Sequence, residues 1–150
     1  MPENNQQEKE ASVQLIAILE ILKSGYWYDK KVREVLKPFD ISHEQFNVLR
    51  ILEHNQLRKF SLKEIQSRLM NKTDNTTRLV EKLRQKGFVA SAYSEANRRM
   101  LQIGITPDGM NLLKEISLPL LQLGEKVNSV LPDEDALEVT RILRNFRSMK

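Results

Sequence analysis

Cysteine is absent from the 150-residue chain, and its absence removes disulfides, thiolate nucleophiles, Cys-ligated zinc and thiol redox sensing together. Histidine occurs only at positions 43 and 54. His43-Glu44-Gln45-Phe46-Asn47 begins like a zinc-protease helix, but Asn47 stands where the second histidine ligand is needed. A metal site would therefore have to be built from carboxylates elsewhere, and neither a metal nor a cofactor is expected. The five scattered glycines form no phosphate-cradling loop, and no serine lies in a nucleophile motif. The chain has no visible catalytic apparatus and is read as a non-enzyme. No apolar run approaches the ~20 residues of a bilayer span, and Met1 to Glu10 is polar and acidic where a signal peptide carries cations before an apolar stretch. A cytoplasmic protein with no membrane partner is expected.

What the chain does have is a lopsided charge distribution. Between Leu57 and Met100 lie eleven Lys/Arg and four acids, whereas the remainder carries thirteen bases and sixteen acids. A basic middle between acidic ends is the footprint of a segment that meets phosphates, joined to segments with another task.

The periodicity is helical except for one hairpin. Residues 1–10 read as a disordered tail and 11–150 as one folded unit. Ser12 to Leu36 contains no proline and is apolar around most of its first half, so it needs cover on more than one side, and a second subunit is a natural source. Ser42 with Gln45, and Ser61 with Glu64, are capping boxes that open two short helices. After a break at Asn71 to Thr73, Thr73 reads as the N-cap of a helix from Asp74 to Gln85, closed by Lys86-Gly87. Two helices joined by a three-residue turn make a helix-turn-helix. From Phe88 the period drops to two. Phe88 to Tyr93 and Leu101 to Ile105 form a hairpin, with Arg98 and Arg99 beside its tip. Thr106-Pro107-Asp108 starts a helix to about Leu131, in which Pro119 is expected to produce a kink, and Pro132 restarts a last helix with Leu137, Ile142, Leu143 and Phe146 facing inward.

The expected fold is thus mainly α, a winged helix of six helices with a two- to three-stranded wing. The DNA-binding part is assigned to 42–106, and the terminal helices, 11–37 and 107–150, to a dimerisation domain.

Helical spacing puts Thr76, Leu79, Val80 and Leu83 on a buried stripe of the fourth helix and Asn75, Thr77, Arg78, Lys82 and Gln85 on its outer face. Asn can pair bidentately with adenine, Arg with guanine, and Thr offers a hydroxyl and a methyl. Residues near the N-terminus of a recognition helix reach bases most often, so Asn75, Thr77 and Arg78 are base-edge candidates and Lys82 a phosphate ligand. Thr73 and Asp74 belong to the same helix start. Of the wing arginines, Arg99 is aimed at a minor groove and Arg98 at the backbone or the same groove. For Arg99 a surface pair with Glu95 is the competing role. Ser61 is a phosphate candidate through its helix start, although capping alone explains it.

These residues resemble the MarR family of bacterial transcriptional regulators. Asn75 to Val89 is similar to that family's recognition helix and first wing strand, and Asn97-Arg98-Arg99 followed by Ile105-Thr106-Pro107-Asp108-Gly109 is similar to its wing and fifth helix start. Where the family has an aspartate bracing the wing arginine, this chain has Asn97, which offers a hydrogen-bond acceptor but no charge. The resemblance implies a triangular homodimer with interleaved terminal helices. It implies a pseudo-palindromic double-stranded DNA operator, with half-sites about 34–36 Å apart. It also implies repression, release by a small aromatic or apolar effector held between the dimer helices and the reading head, and a nucleoid-associated location. Tyr26, Trp27, Tyr28, Phe39 and His43 are the effector candidates, with core packing as their competing role. The reading from a different class is a winged helix used only for protein contacts.

Overall fold

The computed structural model describes residues 12–72 and 75–149. Helix α1 (Val13–Leu36) starts where the Ser12 hydroxyl accepts from Leu15 N. A single 3-10 turn (Lys37–Phe39) follows, and its exit residue Asp40 adopts a left-handed backbone, φ 53. That turn redirects the chain into α2 (His43–Glu53). The Ser42 box is complete: Gln45 N donates to Ser42 Oγ and Ser42 N donates to Gln45 Oε1. The same reciprocal pair forms between Ser61 and Glu64 at the head of α3 (Leu62–Arg68).

Helix α2 is the hub of the molecule. It packs on α1, α3, α4 (Thr76–Gln85) and α5 (Pro107–Asn128), and on strand β2 (Leu101–Ile105). Val48, Leu49 and Leu52 of α2 are buried together with Leu36, Ile65, Leu83, Ile103 and Ile116. This core occupies the reading head and the adjoining ends of α1 and α5. Elsewhere the apolar residues are uncovered: Leu19 and Leu22 on α1, Leu118 and Leu121 on α5, and Ile142 and Phe146 on α6 (Asp133–Ser148) are all exposed. No residue of α6 is buried. The expectation that Leu137, Ile142, Leu143 and Phe146 face inward therefore fails within one chain, because the pattern reports an apolar face without saying what covers it.

Strand β1 (Val89–Tyr93) pairs antiparallel with β2, from Val89 opposite Ile105 to Tyr93 opposite Leu101. On the outer edge of β2, Phe60 and Ile103 exchange both backbone hydrogen bonds, each 2.8 Å, so the loop before α3 supplies a one-residue third strand.

Helix α4 ends in a Schellman turn: Phe88 N donates to Leu83 O, Gly87 N donates to Arg84 O, and Gly87 takes φ 80, where a side chain would be strained. Thr106 then links this turn to the next helix. Its hydroxyl donates to Gly87 O at 2.6 Å and accepts from Gly109 N at 3.1 Å, while its own N donates to Phe88 O. The chain passes so close that a Cβ on Gly109 would overlap the Phe88 carbonyl oxygen and lie 2.8 Å from Ile105 Cγ1. Helix α5 continues through Pro119 without a break, and it ends at Asn128, short of the expected Leu131.

Two stability changes follow. Gly109→Ala should lower stability by about 1–3 kcal/mol, because backbone and not a flexible side chain must yield. Thr76 is buried on the core stripe, and its hydroxyl has no hydrogen-bond partner among the described residues. Thr76→Val should therefore raise the unfolding free energy by about 1 kcal/mol, read as a higher urea midpoint at an unchanged m-value.

Candidate nucleic-acid interface

The order of elements α3, turn, α4, hairpin sets one polar helix face beside a basic loop. On α4 the buried residues are Thr76, Val80 and Leu83, and Leu79 is half-buried against the core. Asn75, Thr77, Arg78, Lys82 and Gln85 are exposed, as the spacing requires.

The start of α4 differs from the sequence reading. The N-cap is Asn75, not Thr73, and the helix begins at Thr76. Thr73 and Asp74, both named as DNA-contacting candidates, lie outside the described residues. The change has a chemical consequence. Asn75 Oδ1 accepts from Arg78 N at 3.0 Å, so the carboxamide oxygen is held by the helix and only the NH2 faces outward. A bidentate pair with adenine needs the oxygen as well. In this conformation Asn75 can donate to a base or phosphate acceptor, and a bidentate pair with adenine would have to use the oxygen's second lone pair.

Which cations are free is decided by the carboxylates. Arg84 is held by Glu81 at 2.8–2.9 Å, Arg58 by Glu64, and Lys86 by Asp40 at 3.0 Å. Among the described residues, Arg78, Lys82, Arg98 and Arg99 have no carboxylate partner. Glu81 is accordingly held below its ordinary pKa, first by the Arg84 hydrogen bond. In the basic segment Arg58, Arg84 and Lys86 are paired, whereas Arg78, Lys82, Arg98 and Arg99 on the fourth helix and wing, and Lys59, Lys63, Arg68 and Lys72 around α3, have no carboxylate partner among the described residues.

The wing loop is braced through its backbone. Ser94 N donates to Met100 O and Met100 N donates to Asn97 O, both at 2.9 Å. Asn97 Oδ1 accepts from Arg99 N at 3.1 Å. Asn97 therefore fixes the main chain at Arg99 and leaves the guanidinium free. Arg99 forms no ion pair with Glu95. The Ser61 hydroxyl is engaged twice by Glu64, as acceptor from its N and as donor to Oε2 at 3.0 Å, with Glu64 itself seated at the helix start.

The effector candidates are not gathered into one site. Tyr26, Trp27 and Tyr28 are exposed, so the core-packing role does not hold for them in one chain. Consecutive helical residues also project about 100° apart, which prevents all three from lining a single pocket. Phe39 packs against the core. His43 Nδ1 lies 2.6 Å from Asp29 Oδ1 and joins α1 to α2. Arg33 extends this bridge, donating to Asp29 at 2.8 Å and to Glu44 at 2.5 Å.

A groove of about 920 Å³ opens elsewhere, between the end of α1, the start of α2 and the outer face of α4. Its walls include Arg33, Lys37, Gln45, Asn75, Arg78 and Lys82. Arg33, Lys37 and Gln45 did not emerge from the sequence as site residues. The one available signal was the capping box, which implied that the Gln45 oxygen is occupied and its NH2 left over. Among the described residues no group of three His, Asp or Glu is placed to hold a metal ion, and no helix is long and apolar enough to cross a membrane.

An exposed polar recognition helix, a free basic wing and the bridge at Phe60 define a winged helix-turn-helix. The family model described as "MarR family" matches residues 41–101, from the entry of α2 to the start of β2. The regulator SarZ of Staphylococcus aureus is 30% identical over 121 residues, covering 79% of this chain and 78% of the relative. A crystal structure of a MarR transcription factor from Planctomyces limnophilus superimposes with TM-score 0.70 at 25% identity, covering 89% of this chain and 97% of that one. A mutant MarR from E. coli complexed with operator DNA shares the fold, with TM-score 0.75 at 18% identity and coverage of 89% and 94%. Bordetella bronchiseptica BpsR, described in terms of regulation of its DNA binding by 6-hydroxynicotinic acid, aligns with TM-score 0.73 at 19% identity, covering 87% and 93%. The chain belongs to the MarR family of DNA-binding transcriptional regulators, which are not enzymes.

The bridge at Arg33 generates a pH prediction. Asp29 is held below the ordinary carboxylate range by hydrogen bonds from Arg33 and then His43, and Glu44 by the Arg33 hydrogen bond. A carboxylate depressed on folding contributes stability that is full above its unfolded pKa and is lost as pH falls through its folded pKa. Glu44→Gln should therefore flatten the acid limb of stability against pH, below the ordinary carboxylate range, and leave the neutral slope unchanged, as read by urea midpoints.

Proposed function

We propose that the chain is a sequence-specific repressor that binds a pseudo-palindromic operator as a homodimer, acting on the nucleoid in the cytoplasm. Its reading head is 42–106, and 11–37 with 107–150 join the subunits. The observation that carries this reading is the distribution of uncommitted donors. Among the described residues Arg78 and Lys82 on α4 and Arg98 and Arg99 on the wing lack carboxylate partners, while Arg58, Arg84 and Lys86 are paired. Arg78 and Thr77 read base edges, Asn75 donates through its NH2, and Lys82 and Arg98 meet phosphates. Arg99 enters the minor groove from a loop stiffened by Asn97. Ser61 acts as a helix cap and not as a phosphate ligand.

The dimer rests on the uncovered apolar faces of α1, α5 and α6. An exposed apolar surface spread over three helices is covered in solution, and a second copy offers the self-complementary face. A small aromatic effector would act at the α1–α2 junction near Trp27, Tyr28, Phe39 and His43, where the joining helices meet the reading head. The likeness to BpsR supports this part of the reading.

Binding to promoter duplex should weaken steeply with salt through counterion release. Arg78→Ala should cost about 1–3 kcal/mol on the operator and much less on random duplex, whereas Lys82→Ala should weaken both alike. Equal losses on both duplexes for Arg78→Ala would contradict its role, and no binding at low salt would favour protein contacts instead. The double variant Ile142→Glu/Phe146→Glu should halve the mass measured by light scattering and abolish tight operator binding.

A further inference from the structure

The groove beside α4 is lined by donors whose matching acceptors are already used. Gln45 is 5% exposed, and its Oε1 accepts from Ser42 N as the second half of the capping box. Its Nε2 has no hydrogen-bond partner among the described residues, and the side chain lines the groove. The rest of the side chain is buried, so this NH2 is fixed in place and offers its donors only towards the groove, to water or to a ligand. Asn75, across the groove and exposed, likewise gives its oxygen to a backbone N–H, that of Arg78.

The surrounding field has one sign. The carboxylates on the groove, Asp40 and Glu44, are bound to Lys86 and Arg33, whereas Lys37, Arg78 and Lys82 have no ion-pair partner among the described residues. The start of α2 adds the positive end of an eleven-residue helix. Donors from two helices, free ammonium groups and a helix N-terminus select an oxyanion with several acceptor oxygens.

We propose that this groove is a phosphate seat in which Gln45 Nε2 and Lys37 hold the oxyanion from the α2 side and Lys82 from the α4 side. It rests on the reading of α4 as a recognition helix, which makes a phosphate of the operator backbone the first occupant. A free phosphate is the other source of the same chemistry. Bound there, a backbone phosphate would fix the angle between the reading head and the end of α1, so the seat couples DNA register to the helices that join the subunits.

Gln45→Glu tests the seat, because the glutamate keeps an oxygen for Ser42 N and a capping box, and exchanges only the NH2. Dissociation constants are measured on operator duplexes carrying one neutral methylphosphonate linkage at each position in turn. At one linkage the substitution should weaken the natural protein about tenfold, the value of a charge-assisted hydrogen bond. At that linkage it should weaken Gln45→Glu less than about twofold, the non-additivity that marks a direct contact and that a general charge effect does not produce. Lys37→Ala, a surface change with little risk to folding, should show the same loss of dependence.

In parallel, inorganic phosphate is titrated against chloride at matched ionic strength without DNA, following the Gln45 side-chain amide resonances. A shift there with no coupled linkage assigns the seat to a free anion. Neither a coupled linkage nor a shift overturns the proposal. If the protein bound no duplex at all, the operator reading would fail while the phosphate titration still judged the seat.

Discussion

The hydroxyl of Thr106 is the junction on which the arrangement depends. It reaches back to Gly87 O at the end of the recognition helix and forward to Gly109 N at the start of α5, within a chain path too tight for a Cβ at Gly109. The recognition helix, the root of the wing and the long helix leaving the reading head therefore share one anchoring point. A displacement of α5 is transmitted to α4 through hydrogen bonds and close backbone packing and not through a flexible linker. This rigidity matters because a dimer on DNA must set the distance between two heads to within a fraction of a helical turn.

A second theme is that the caps assign chemistry as well as helix boundaries. Gln45 and Asn75 each give the carboxamide oxygen to a backbone N–H, which leaves a donor to face outward. Ser61 gives its hydroxyl to Glu64 in both directions, which leaves nothing for a ligand. Asn97 gives its oxygen to Arg99 N and stiffens the wing without pairing the guanidinium. In each case the local backbone bond decides what the side chain can still offer.

The legible parts of the sequence were those governed by local rules. The caps at Ser42, Ser61 and Thr106, the glycine stop at Gly87, the alternation of Leu101, Ile103 and Ile105, and the polar face of α4 all follow from neighbours within four residues, and each has its counterpart in the fold. The start of α4 was less determined, because Thr73 and Asn75 are both capable N-caps two residues apart and only the tertiary position of the helix chooses between them. The apolar stripe of α6 was visible, but its cover was not, since hydrophobic periodicity cannot distinguish a core from a subunit interface. The exposure of Tyr26, Trp27 and Tyr28 in one chain was hidden for the same reason. The groove escaped notice because its donors come from residues thirty positions apart, Gln45 and Asn75, each with a sufficient local role.

The two backbone hydrogen bonds between Phe60 and Ile103 carry a consequence of their own. They stitch the segment feeding α3 to the returning wing strand, so the hairpin cannot swing as an independent arm. The whole head would then meet DNA as one stiff body. On the homodimer we propose, a signal that loosened this grip would have to tilt intact heads against each other, with the wing a fixed pin and not a latch.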